Sequence, residues 1–367
     1  MADSVHFGRW LEHFRDGEHE FLIFPSSPHR KIHPKVRGLM ERQPDRFKMP
    51  ALMRSLALPL WVLDRFFDNW FRGLLFAHYS VGFKPDLIHV LEFQNAGYTY
   101  LKARKLNSSI ANVRLLLTPY GSDMYWFARF PKHERLLRQL VSSSAAMSCE
   151  CARDEKIATS LGFTGEFMPR VPAFGHVELN RRTKELVRDK IMVKGYQNKW
   201  GQASKAIAAL KIAAPHLQKI EIHFFSCNYS TIWRARILAW QTGLNVITHR
   251  KGALAHNEVQ DLFASSLIYV GLSKSDGISA SMIEAMASGA VPIQSNTSCC
   301  EEWLKDGEGG YLVDFDDTPT VAQHLINLVT SPEKAERARE RNFSDLLENL
   351  EPATTKRAVH ETYEKLA

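Results

Sequence analysis

The chain has 367 residues, too many for one ordinary hydrophobic core, so two domains are the starting expectation. Hydrophobic residues make up 45% and charged residues 24%, the proportions of a soluble globular protein. A net charge of +7 suits an anionic ligand or an anionic membrane surface, and no basic and aromatic motif points to nucleic acid. No apolar run is long enough for a transmembrane span, and no signal peptide precedes the first charged residues. Neither Cys149/Cys151 nor Cys299/Cys300 has the CxxC spacing of a metal site. Five cysteines, an odd number that includes an adjacent pair, argue for free thiols in a reducing cytosol.

In chain order, Ser4–Phe14 reads as an amphipathic helix with Val5, Trp10, Leu11 and Phe14 on one stripe and Asp3 or Ser4 as its cap. Glu20–Phe24 reads as a strand. A doubly wound half normally begins with a strand whose first turn lies beside the ligand. Only MADS precedes the helix here, so either the first strand is missing from this chain or the sheet begins with the second. Pro25–Pro50 reads as a loop with at most one helical turn. Ala51–Tyr79 reads as a helix broken or kinked at Pro59. Its aromatics Trp61, Phe66, Phe67 and Trp70 sit among Arg54, Arg65 and Arg72. This segment is read either as an interfacial helix on an anionic membrane or, with Asp64 and Asp68 interrupting the basic face, as a core helix.

Strands follow at Pro85–Leu91, Val113–Thr118, Ala145–Ser148 and Gly165–Met168, with helices at Gln94–Leu106, up to Val141, and at Cys151–Leu161. Asp123 closes the polar turn Pro119–Asp123, at the carboxyl end of a strand, where open α/β sheets place ligands. Pro169–Phe174 carries two prolines and reads as a hinge. The domains are expected at 1–173 and 174–350, with a terminal helix at 351–367.

After a charged lead-in over Leu179–Asp189, the second half opens with strand Lys190–Lys194. The turn Gly195–Gly201 and helix Gln202–Ala214 follow. Strand, glycine turn and helix make a phosphate-binding geometry, with the turn opening at Gly195. Ile220–Phe225, Ser230–Thr242, Asn245–Thr248 and Asn257–Ala264 alternate as strand, helix, strand and helix. His249 and Arg250 open a basic loop. Leu267–Val270 is a buried strand that leads into SKSDGISASMIEAMASG. Gly277, Ile278 and Ser279 bring the chain to a helix expected to start near Ile278, whose free N–H groups suit a diphosphate. Asp276 lies just before that helix, and Glu284 lies eight positions further on. Val291–Gln294 and Gly310–Val313 read as strands. Cys300–Asp306, Pro319–Thr330, Pro332–Leu350 and Ala353–Leu366 read as helices. Strands and helices thus alternate twice, the pattern of two doubly wound α/β domains.

Asp276-x7-Glu284 followed by Ala-Met-Ala-x-Gly resembles the Glu-x7-Glu signature of retaining family-4 glycosyltransferases, with Asp in place of the first Glu. The resemblance is strongest over Lys190–Val313, with weaker echoes such as PDLIH and the GSD turn over Pro85–Met168. It implies the GT-B fold, two Rossmann-like domains facing a cleft. By the same resemblance Asp276 faces the donor sugar, Glu284 holds the nucleotide ribose, and Lys199 clamps the diphosphate with the Ile278–Ser279 amides. Lys194 takes part of the charge of an arginine absent from its usual place. Backbone near His249 and Arg250 touches the base, and Asp123 orients acceptor or donor.

The implied activity is sugar transfer from a nucleotide-diphosphate sugar, with no cofactor or metal required. The acceptor is lipid-linked or another glycan, in O-antigen, capsule or related synthesis. The setting is cytoplasmic, at the inner face of the plasma membrane. Two rivals share the architecture: a sugar-nucleotide epimerase, and a nucleotide-sugar-binding relative that has lost transfer.

Overall fold

The computed structural model describes residues 2–26, 31–172, 187–297, 299–349 and 352–367. The chain divides into two compact units, Met1–His176 with Pro352–Ala367, and Val177–Glu351. Residues 173–174 of the expected hinge and 179–186 of the charged lead-in lie outside the described residues.

The first unit opens with α1 (Val5–Glu12), where the Ser4 hydroxyl accepts from His6 N at 3.2 Å. Then come β1 (Phe21–Leu22), α2 (Pro34–Arg42) and β2 (Phe47–Lys48), with β1 and β2 paired in parallel. The loop expected over Pro25–Pro50 is therefore corrected. Pro34 sits at the first helical position, His33 Nδ1 accepts from Lys35 N, and Val36 and Leu39 are buried. A pre-set φ and an apolar stripe outweigh the poor composition of that stretch.

A second correction concerns the long helix. It is two helices, α3 (Ala51–Phe67) and α4 (Trp70–Phe83), and Pro59 lies inside the first. The break falls at Asp68 and Asn69, both with positive φ. Asp64 Oδ1 accepts from Phe71 N and Arg72 N, capping α4, while Oδ2 accepts from Arg72 Nε at 2.6 Å. A tertiary ion pair sets the break that helix propensity alone assigns to proline.

Beyond it lie β3 (Leu87–Leu91), α5 (Tyr98–Leu106) after a π turn at Phe93–Gly97, β4 (Arg114–Thr118), α6 (Pro131–Val141), β5 (Ala146–Met147), α7 (Ala152–Ser160) and β6 (Glu166–Phe167). They form a parallel sheet in the order β3-β4-β5-β6, so β3 is an edge. Leu115 and Leu117 of β4 pack with Val90, Phe93 and Leu137 on one face. Leu116 packs with Trp10, Phe14 and Tyr363 on the other, as a strand buried on both faces requires. Tyr363 comes from the C-terminal helix Pro352–Leu366, and its ring lies 4.5 Å from that of Phe14.

The second unit runs β7 (Lys190–Lys194), α8 (Ala203–Ala213), β8 (Glu221–Cys227), α9 (Tyr229–Thr242), β9 (Asn245–Arg250), α10 (His256–Ala264), β10 (Ser266–Gly271), α11 (Ala280–Ala287), β11 (Val291–Ser295), β12 (Tyr311–Val313), α12 (Thr318–Thr330) and α13 (Pro332–Asn349). Its parallel sheet has the order β12-β11-β10-β7-β8-β9. The expected helix at Cys300–Asp306 is only a 3-10 turn at Cys300–Glu302. Asp306 leaves it to accept from Leu312 N at 2.8 Å, in a stretch with glycines at 307, 309 and 310. Cys149 and Cys227 are buried free thiols.

Candidate active site

The strand order of the second unit reverses between β7 and β10. Successive strands leave β7 towards β8 and β9, whereas β10 returns to its other side. Ligands of open α/β sheets lie at this switch point, outside the carboxyl ends of the strands. Lys194 ends β7, and the loop carrying Asp276 follows β10. The two sequence-nominated turns therefore meet, although 82 residues separate Lys194 from Asp276.

They meet through bonds as well as topology. Lys194 Nζ lies 3.2 Å from Asp276 Oδ2, and Asp276 Oδ1 accepts from Gly277 N at 3.0 Å. The Lys194 side chain is only 13% exposed. Burial alone would pull its ammonium down, but Asp276, with Tyr269 and Tyr196, outweighs that and the net direction is up. The lysine thus stays charged.

The Gly195–Gly201 turn is braced from both sides. Asn198 Oδ1 accepts from Trp200 N and Gly201 N, each at 2.8 Å. Gly201 bridges to Ser273, and Lys274 N donates to Trp200 O at 2.9 Å. Gly195 has no room for a side chain, since a Cβ there would stand 2.5 Å from Cys227 Sγ and 2.6 Å from Phe225 O. Lys199, by contrast, is exposed, with its Nζ 4.8 Å from the Trp200 ring centre.

Helix α11 begins at Ala280, two residues later than expected, so Ile278 lies in the approach and Ser279 at the N-cap. Glu284 is half-buried midway along α11. The first-turn amides of any helix lack intrahelical acceptors. His249 and Arg250 end strand β9 rather than opening a loop. His249 Nε2 lies 3.0 Å from His223 Nδ1, whose Nε2 lies 2.7 Å from Glu221 Oε2. Arg250 donates to the Tyr229 hydroxyl at 2.7 Å.

Two polar residues at this switch point escape notice in the sequence. Tyr269 hides within the apolar strand Leu267–Val270, and Gln294 within β11. Burial pushes the Tyr269 hydroxyl up to about 12, with Lys194 and Ser279 pulling the other way. The Tyr269 hydroxyl, Ser279 Oγ and Gln294 Oε1 are buried and, among the described residues, meet no hydrogen-bond partner in good geometry. Unsatisfied buried polar atoms beside a paired lysine are a concentration of unspent hydrogen-bonding capacity. Strand period 2 would have placed Tyr269 and Gly271 on one face, the only sequence signal available for it.

Asp123 belongs to the first unit. Its Oδ2 accepts from Tyr120 N at 2.8 Å and Phe93 N at 3.0 Å, while Gln94 Nε2 donates to its backbone oxygen at 2.9 Å. Burial, then the neighbouring Glu92, pushes its carboxyl well above the ordinary range, against the pull of the two amides.

Residues 233–345 match the family described as Glycosyl transferases group 1. That span includes Asp276 and Glu284 and leaves out Lys194 and Lys199. Among solved structures the chain is similar to HepE from Anabaena in complex with UDP and glucose. The TM-score is 0.69 at 12% identity, over 98% of this chain and 95% of that one. The fold is GT-B. The chain is also similar to a TarM variant from S. aureus in complex with fondaparinux, alpha-GlcNAc-glycerol and UDP (TM-score 0.61, 13% identity, 79% of this chain). It spans only 57% of that TarM chain. Sucrose-phosphate synthase from Thermosynechococcus elongatus gives a TM-score of 0.62 at 14% identity, over 79% of this chain and 76% of that one. No curated protein matches the sequence.

Proposed function

We propose that this GT-B protein is a retaining glycosyltransferase of family 4 that moves a sugar from a nucleotide-diphosphate donor to a glycan acceptor. The observation that carries the reading is the Lys194–Asp276 pair at the switch point of the second unit, 3.2 Å apart. Asp276 takes the donor sugar's hydroxyls, Glu284 the ribose, and Lys199 with the amides of Gly277, Ile278 and Ser279 the diphosphate. Lys194 orients Asp276 and adds positive charge, while Gly195, His249 and Arg250 line the nucleotide. Charge that grows on the leaving diphosphate is met by groups already in place, the strongest lever such a site has. Asp123 supports the acceptor side of the reaction.

The deciding experiment measures nucleoside diphosphate release from UDP-, GDP- and ADP-sugars, with and without glycan acceptors. Acceptor-dependent release is expected, and Glu284→Ala should lower it at least tenfold, about 1.4 kcal/mol. Isomerised donor without acceptor would identify an epimerase, and binding without turnover an inactive relative. Wild-type release in the Glu284 variant would remove that assignment.

The acceptor is proposed to be lipid-linked, in surface polysaccharide synthesis at the cytoplasmic face of the plasma membrane. Among the described residues no helix is long and apolar enough to cross a membrane. Peripheral contact through α3 and α4 is supported by exposed Val62, Phe66, Phe67 and Trp70, with Phe66 78% exposed. Of the two acids that interrupt this face in sequence, Asp64 is withdrawn from it in space, while Asp68 stays 71% exposed. Asp64 is 1% exposed against Arg72, and Asp68 pairs with Lys102 at 3.2 Å. Such a surface should partition onto anionic vesicles and leave neutral ones. Equal sedimentation of wild type and Phe66→Ser/Phe67→Ser with anionic vesicles would reject the contact.

A further inference from the structure

The first unit contains a cavity of about 560 Å³ whose walls have the plan of a missing strand. One long side is β3, all five of whose residues line the space, and the opposite side is the run Glu20–Phe24 through β1. Neither side is paired across the gap. Among the described residues, β1 pairs only with β2 and β3 only with β4.

The backbone bonds say which groups face inward. Phe21 N and Ile23 N donate to Arg46 O and Lys48 O on the β2 side, and Glu92 N donates to Thr118 O on the β4 side. Backbone groups alternate along a strand, so Leu22 and Phe24, and Leu87, His89 and Leu91, turn their N–H and C=O groups into the cavity. Edges with free donors and acceptors are templates for another strand. Buried backbone groups need partners.

The roof and floor fit the same occupant. Trp10 and Leu11 of α1, with Tyr363 of the C-terminal helix, line the cavity on one face of the sheet. Phe76 of α4 and Tyr100 of α5 line it on the other. A strand between two helical layers buries both faces and reads as a continuous Val/Ile/Leu run. Ala2 also lines the space, and α1 starts at Val5. A connection of that length is ordinary between a strand and the helix after it.

We propose that this cavity is a strand-binding slot. It takes one extended apolar segment of polypeptide, joined to the amino side of α1 and parallel to β1 and β3. The completed sheet runs β2-β1-slot strand-β3-β4-β5-β6. The pairings on either side, β1 with β2 and β3 with β4, are parallel, and the proposal extends that mode to the inserted segment. The inference does not depend on the glycosyltransferase reading, since it rests on the strand edges β1 and β3 of the first unit and that reading on the Lys194–Asp276 pair of the second.

The test compares the full chain with two variants that carry a seven-residue extension joined to Met1 by Gly-Ser. One extension is a Val/Ile/Leu run, and the other has prolines at alternate positions. Hydrogen exchange is read at the amides of Leu22, Phe24, Leu87, His89 and Leu91. The apolar extension should slow exchange at these positions at least tenfold and raise the melting temperature, and the proline extension should do neither. Equal exchange in all three proteins would overturn the slot. Protection by the free apolar peptide as complete as by the tethered one would overturn the amino-terminal attachment.

Discussion

Lys194 and Asp276 show what a single contact adds to a motif. Asp276-x7-Glu284 names two acids on one loop and helix, but it does not name the cation that holds the first acid in place. That cation comes from another strand, and the pair excludes most solvent. Asp123 shows the reverse case, a nominated acid whose carboxylate already braces a turn through two backbone amides. Its raised pKa carries a pH prediction. A folded state that holds this proton more tightly than the unfolded chain is favoured fully below the ordinary carboxylate pKa. That contribution is lost as pH rises through the raised value. Thermal unfolding across acid to neutral pH should therefore show wild-type stability falling, and Asp123→Asn, an uncharged acceptor of like shape, should flatten that part of the profile. A wild-type slope in the Asn variant would assign the fall to other groups.

At the scale of the element, the break between α3 and α4 depends on Asp64. Its carboxylate caps α4 and pairs with Arg72, and both side chains are almost wholly buried. Arg72 also donates to Ser26 O, so the pair ties the helices to the segment after β1. Removing one member leaves a buried charge uncompensated, which costs about 3–5 kcal/mol. Asp64→Ala should lose that much in chemical denaturation, whereas Pro59→Ala should be neutral or stabilising. A larger loss at Pro59 would return the break to proline. The apolar period of α3 was legible in its sequence. The place where it ends was not, because the residue that ends it acts across a turn on the next helix.

For the whole molecule, the chain builds its first unit from both ends. The Tyr363 hydroxyl accepts from Trp10 Nε1 at 3.2 Å and lies 2.6 Å from His89 Nδ1, in a ring cluster with Phe14. Burial takes His89 down to about 3, so it is neutral there. Tyr363→Ala empties a core position and strands the buried Trp10 Nε1 and the part-buried His89 Nδ1, for a loss of about 3–5 kcal/mol. Limited proteolysis should then cut early within residues 2–172; unchanged resistance would show the C-terminal helix to be a passive cover.

The sequence alone determined the alternation of strands and helices and the two loops, one following Lys194 and one carrying Asp276. Both are local properties, written in apolar period, glycine position and acid spacing. Only the tertiary structure decided that those loops adjoin, that Tyr269 and Gln294 bring buried polar atoms to them, and that a cavity lies between β1 and β3. Adjacency of strands depends on the order in which a sheet is assembled, and hydrogen-bond satisfaction depends on neighbours distant in the chain. Neither leaves a mark on the period of any one segment.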